Sequence, residues 1–233
     1  MIRLKRIPAI FMLLAFCISL TACGNPEAEQ RKSFIELLQA QIDRPGADIA
    51  TLTPDATKAL GPYAAQYSVL TDFHADFVEH VARPMQPAVQ NVAIASAQDL
   101  MSRRADIRSA HEQVEAIRSA LEAAVSKASL QRSSLKQPED VAPVYAKVFD
   151  KVVSRPAEAY RGFFPLVDAA GESDHRLGEF LDKNYARVTF NGTEMAVNPT
   201  IQPELEPLIK DAQDKGQLML DAAQKLQQVV PTS

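Results

Sequence analysis

The sequence predicts a mainly α-helical fold, a bundle of about six helices with one small β-hairpin near residues 187–197. Apolar residues recur at three- and four-residue spacing along almost the whole chain. Four heptads run unbroken from about Arg103 to Leu135. Only the stretch around Asn191-Gly192 alternates with the period of a strand.

The elements follow in order. From Pro26 to Ile42, Phe34, Ile35, Leu37, Leu38 and Ile42 form one stripe, and Arg44-Pro45-Gly46 ends it. Thr53-Pro54-Asp55 reads as an N-cap with proline at the first helical position, and Gly61-Pro62 resets the chain. A long run then carries Tyr63, Tyr67, Leu70, Phe73, Phe77 and Val81 until Arg83-Pro84 and Gln86-Pro87, which should break or kink it. Ser96-Ala97-Gln98-Asp99 opens the next helix as a variant capping box.

In the heptad segment Ile107, Val114, Leu121, Ala128 and Leu135 lie seven apart, with Ala110, Ile117 and Ala124 between them. The stripe fits either a coiled-coil dimer or the core of an intramolecular bundle. The small alanines favour close packing within the bundle, and a monomer is expected. Gln137-Pro138-Glu139 begins another helix that turns Val141, Val144, Tyr145, Val148 and Val152 inward until Ser154-Arg155-Pro156 interrupts it. A further helix carries Tyr160, Phe163, Phe164 and Val167; Gly171 and Gly178 should weaken its continuation toward Tyr185. Alternation around Asn191-Gly192 predicts a hairpin with a type I′ turn. A last helix runs from about Ile201 to Val230. Val81-Ala82-Arg83-Pro84 echoes Val153-Ser154-Arg155-Pro156, and the same offset pairs Phe73 with Tyr145 and Phe77 with Phe149. Two helices that both end at Arg-Pro explain this without a duplication.

The N-terminus reads as an address. Arg3, Lys5 and Arg6 precede a 12-residue apolar run, Ala9 to Leu20, well short of the roughly 20 residues a spanning helix needs. Leu20-Thr21-Ala22-Cys23 follows and resembles the lipobox of bacterial lipoproteins. That resemblance implies loss of residues 1–22 and a diacylglycerol with an N-acyl chain on Cys23. Residues 23–33 then form a lipidated N-terminus and short tether, and 34–230 a single helical domain. Each buried CH₂ of such chains contributes roughly 0.8 kcal/mol, and more than one chain gives stable anchoring. Gly24 in place of the inner-membrane retention aspartate implies an outer-membrane, periplasm-facing location.

Composition narrows the function classes. The chain has 233 residues, 46% of them apolar, which excludes wholesale disorder, and two cysteines, too few for a disulfide scaffold. Removal of the signal takes three of 25 basic residues, leaving 22 − 29, or −7, a charge unsuited to nucleic acid. No serine-hydrolase elbow, zinc-protease helix, phosphate loop or dinucleotide fingerprint occurs, so no catalytic residue, metal or dissociable cofactor is expected. Glu172-x-x-His175, with Glu179 beyond it, is half of a di-metal bundle motif without its second half, and reads as a solvated helix end. Asp76 with His80 reads as a surface ion pair, His74 as a core-edge residue, and His111 as exposed. Tyr63, Tyr67, Phe73, Phe77, Tyr160, Phe163 and Phe164 have core spacing; they are also the candidates to line a cleft for an apolar ligand.

Glu29-Gln30-Arg31-Lys32-Ser33-Phe34-Ile35-Glu36-Leu37-Leu38-Gln39 resembles the opening of the YiaF-like lipoproteins, a family of unknown function. Thr51-Leu52-Thr53, Gly61-Pro62-Tyr63, Ser134-Leu135-Lys136-Gln137 and Lys151-Val152-Val153 extend the likeness. It implies an envelope lipoprotein with a mainly helical domain and supplies no catalytic residues. The expected function is a non-catalytic envelope accessory module that holds a protein partner near the membrane. The alternatives are a carrier or sensor of a lipid or other apolar ligand, and, third, a hydrolase.

Overall fold

The structure is a computed structural model that describes residues 25–191 and 194–229. Cys23 and Gly24 lie outside the described residues. Seven continuous helices and one hairpin occur among those described. They are α1 (Pro26–Asp43), α2 (Pro54–Leu60), α3 (63–92), α4 (Ala97–Ser102), α5 (Arg104–Ser134), α6 (142–183), β1 (Val188–Asn191), β2 (Glu194–Val197) and α7 (Gln202–Val229).

Local chemistry sets the boundaries. The Asn25 side chain accepts the Glu27 N–H at 3.2 Å and Pro26 opens α1, so residues 26–33, expected within the tether, are helical. At the other end of α1, Lys151 Nζ donates to the carbonyls of Gln41 (3.0 Å) and Ile42 (2.7 Å), groups that a helix C-terminus leaves unpaired. Thr53 Oγ1 accepts the Ala56 N–H at 3.2 Å at the start of α2, and Gly61 turns the chain at φ 54°. Ser96 Oγ accepts the Asp99 N–H, while Asp99 Oδ2 accepts from Ala95 N–H.

Three expectations are corrected. Neither Arg-Pro segment ends a helix: α3 and α6 each pass through one wide π turn, at Val78–Ala82 and Asp150–Ser154. Arg83 N–H donates to the Val78 carbonyl and Arg155 N–H to that of Asp150. The wide turn gives up one ordinary helical bond where Pro84 or Pro156 has no N–H to offer. The sequence echo therefore marks two equivalent π turns. Second, α6 begins at Ala142, after a turn in which Val141 N–H donates to Pro138 O, and runs through Gly171 and Gly178 without a break. Third, Asn191 pairs with Glu194 and keeps a negative φ, so each β1 residue pairs two positions further along β2 than a turn centred on Asn191-Gly192 would set.

The heptad stripe faces inward. Ile107, Ala110, Val114, Ile117, Leu121, Ala124 and Ala128 are buried within the chain, which settles that seam as bundle core. Helices α5 and α6 run antiparallel, since their charged partners appear in opposite order: Arg104 with Asp182, Arg118 with Asp168, Arg161 with Glu122. Two apolar clusters fill the bundle. The larger joins α1, α3, α5 and the first half of α6; the smaller gathers Leu100, Ile107, Leu177, Leu181, Leu205 and Ala212 beside the hairpin.

Candidate functional site

The seven aromatic candidates are all buried in the larger apolar cluster. Phe34 stacks on Tyr63 with ring centres 5.2 Å apart, Phe73 on Phe77 at 5.6 Å, and Phe77 meets Tyr160 edge-on at 5.1 Å. Tyr67 donates its hydroxyl to the Ala50 carbonyl at 2.9 Å, and burial pushes its pKa up to about 12. Phe163 and Phe164 are buried in the same cluster, and the Arg118 guanidinium lies 4.9 Å from the Phe164 ring centre. Tyr160 borders an open hollow of about 280 Å³ between α3, α6 and α7, with Met85, Val89, Leu220 and Leu226.

The histidines divide. His175 is exposed and pairs with Glu179 at 3.5 Å. Asp76 pairs with Lys127 at 2.9 Å rather than with His80. His74 sits at the core edge, 3.7 Å from Asp48, and burial lowers its pKa. His111 is not exposed as expected but half-buried, lodged against Gly171, and burial lowers its pKa too. A Cβ on residue 171 would overlap the His111 ring, so glycine there admits the ring, at its usual cost in helix propensity.

That contact forms the floor of a cleft of about 330 Å³ between the start of α5 and the end of α6. Arg104, Ile107, Arg108 and His111 lie on one face of α5 at three- and four-residue steps. Gly171, Asp174, Gly178 and Asp182 do the same on α6, and Leu100 of α4 closes one side. Arg104 is fixed by a two-point bond to Asp182 (2.5 and 2.8 Å) and a third to the Gly178 carbonyl at 3.3 Å. The guanidinium holds the Asp182 carboxyl below the usual carboxylate range.

Asp174 stands apart from these paired groups. It is only 5% exposed and lines the cleft, yet its carboxyl takes no hydrogen bond among the described residues. Burial without compensation pushes its pKa up to about 7, so it sits near half-ionisation at neutral pH. Glu172, His175 and Glu179, which read as a solvated helix end, are the exposed face of the same turns. The signal passed over in the sequence was an acidic residue in core register, in the series Ala170, Asp174, Leu177, Leu181. Chemically, the cleft offers an unpartnered carboxyl, an imidazole and a rim guanidinium, an arrangement suited to binding a small polar group. No three His, Cys, Asp or Glu side chains converge on a metal position among the described residues.

No solved structure matches this chain. "Uncharacterized protein YiaF" of Escherichia coli (strain K12) is 30% identical over 196 residues, 83% of this chain and 82% of the relative. The protein of the same name in Shigella flexneri matches to the same extent. A family model described as "Protein of unknown function (DUF3053)" covers residues 10–227. By that near-complete match and that identity, the chain belongs to the DUF3053 family of YiaF-like proteins.

Proposed function

We propose that this protein is an outer-membrane-anchored, periplasm-facing lipoprotein, lipidated on Cys23, and that its helical domain is a non-catalytic accessory module presenting the α5–α6 cleft to an envelope partner or ligand. The observation that best supports this is the separation of two ends along α6. Helix α1, which follows the anchor, packs at the start of α6 through Phe34 against Tyr145 (ring centres 6.4 Å apart) and Arg31 against Asp140 (3.5 Å). Asp174 lies 29 residues beyond Tyr145 on the same continuous helix, roughly 45 Å away at about 1.5 Å per residue. A lipid on Cys23 would therefore hold the α1 end at the membrane and point the cleft away from it.

The test pairs labelling with positional crosslinking. Radiolabelled palmitate should enter the wild-type protein and not Cys23→Ala. A photo-crosslinking residue at position 32 should capture lipid, and one at position 175 should capture a non-lipid component. Lipid capture from both positions, absence of label, or a turnover reaction assigned to the cleft overturns the reading. The carrier reading keeps one supporting feature, the hollow beside Tyr160; co-purification of stoichiometric lipid would favour it.

A further inference from the structure

We infer that the α5–α6 cleft binds an alkylammonium group, with the Asp174 carboxylate as its counter-charge. This rests on the reading of the cleft as the presenting site, and adds what it recognises. Asp174 lines the cleft at 5% exposure with no hydrogen-bond partner among the described residues; its oxygens meet solvent there, and a donor that carries positive charge can take the place of that water. The groups around it leave that role open. On α5, Arg104 is committed to Asp182 and to the Gly178 carbonyl, and His111, kept neutral by burial, has a ring nitrogen free to accept. Arg108 lies exposed at the rim. On α6, His175 and Glu179 pair with each other at the mouth, and Leu100 of α4 brings no charge.

A phosphate or carboxylate brought to Asp174 would meet a like charge or force the acid neutral. An ammonium instead favours the ionised acid, so that the Asp174 proton leaves to solvent, and it gains a charge-assisted hydrogen bond. The cleft volume, about 330 Å³, lies at the low end for small-molecule sites, where roughly 300–1,000 Å³ is usual. The ammonium could belong to a free amine or to a lysine side chain of an envelope protein, and the test separates the two.

The full chain, labelled with ¹³C at its aspartate carboxyls and held in detergent micelles, is titrated at pH 7 with butylamine, butan-1-ol and butyrate, which share a chain and differ in head group. Butylamine is expected to move the Asp174 carboxyl resonance toward the carboxylate and to release about half a proton by calorimetry, and its affinity should rise about tenfold from pH 6 to pH 8. Asp174→Asn, folded by circular dichroism, should weaken butylamine at least about tenfold and leave butan-1-ol unchanged. A tripeptide with a central lysine and blocked ends that binds more tightly than butylamine assigns a protein lysine; weaker binding assigns a free amine. Butyrate driving Asp174 to the neutral acid with proton uptake overturns the ammonium assignment while leaving a ligand-presenting cleft. Equal binding of butan-1-ol, or no movement with any probe, overturns it outright, and the wild-type resonance decides this even if the variant does not fold. Presentation of the cleft away from the membrane is decided separately, by the crosslinks.

Discussion

The two ends of the bundle are built to different rules. At the α1 end, large rings fill the space between helices and two of them anchor their hydroxyls on carbonyls: Tyr67 donates to Ala50 at 2.9 Å and Tyr145 to Gln66 at 3.0 Å, while Arg132 lies 4.5 Å from the Phe149 ring centre. At the far end the buried cluster is aliphatic, Leu100, Ile107, Leu177, Leu181, Leu205 and Ala212, and beside it lie a cleft and an uncompensated carboxyl. One end concentrates packing energy; the other spends some of it to keep a polar group within reach of solvent.

The sharpest way to break this comparison is to delete a side chain at each end. Phe34 is fully buried between Tyr63 and Tyr145, and Phe34→Ala is expected to lower unfolding free energy by about 3–5 kcal/mol in urea titration. Leu177→Ala, in the aliphatic cluster and bordering a hollow with Ile209 and Ala212, should cost less, about 2–3 kcal/mol, because neighbours next to open space can relax into the void. Equal losses would mean that the two ends are packed alike.

Asp174 gives the next largest effect, with a definite sign. Its carboxyl ionises at about 7 in the fold and near 4 in the unfolded chain. Between those values the folded state binds more protons, so this group's share of stability is full below about pH 4 and is lost as pH rises through about 7. Above pH 8 the difference is on the order of a few kcal/mol at most, reduced by the solvent that reaches the carboxyl in the cleft. His74 and His111, held low by burial, pull the other way as pH falls below about 6.5. The measurement is therefore the difference between wild type and Asp174→Asn in urea midpoint at pH 5 and pH 8. The variant should gain relative stability at pH 8, and an unchanged difference would show that Asp174 is not buried as a charge.

The α1 end was the more legible in sequence, for a physical reason. Helical stripes and caps are local patterns, so Phe34 and Leu38 in α1, the Thr53 cap and the buried series from Ile107 to Ala128 could each be read from neighbours a few residues away. What escaped depends on distance or on geometry that residue type does not encode. Proline marks a missing donor and a clash, but not that a π turn absorbs both at Val78–Ala82. Asn-Gly marks a hairpin without setting which residues pair, and Asn191 pairs with Glu194. His111 looked exposed on its own helix because Gly171, sixty residues on, makes room for it. The cleft escaped for the same reason, since its charged faces belong to two helices and each alone reads as an ordinary solvated face.

The finest test uses one substitution at two glycines of α6. Nothing lies within 4 Å of a Cβ placed on Gly162, an exposed position, so Gly162→Ala should stabilise by about 1 kcal/mol through helix propensity. At Gly171 the same methyl meets the His111 ring, and overpacking of about 1–3 kcal/mol should cancel or outweigh that gain. The ring can yield only by moving away from α6 toward the cleft mouth, where water restores its hydration. Gly171→Ala should therefore lower the melting temperature relative to Gly162→Ala and raise the His111 pKa toward its ordinary value, both readable by calorimetry and imidazole NMR. If both alanines stabilise equally and His111 keeps its lowered pKa, the helices do not approach closely there, and the cleft floor is not the one described.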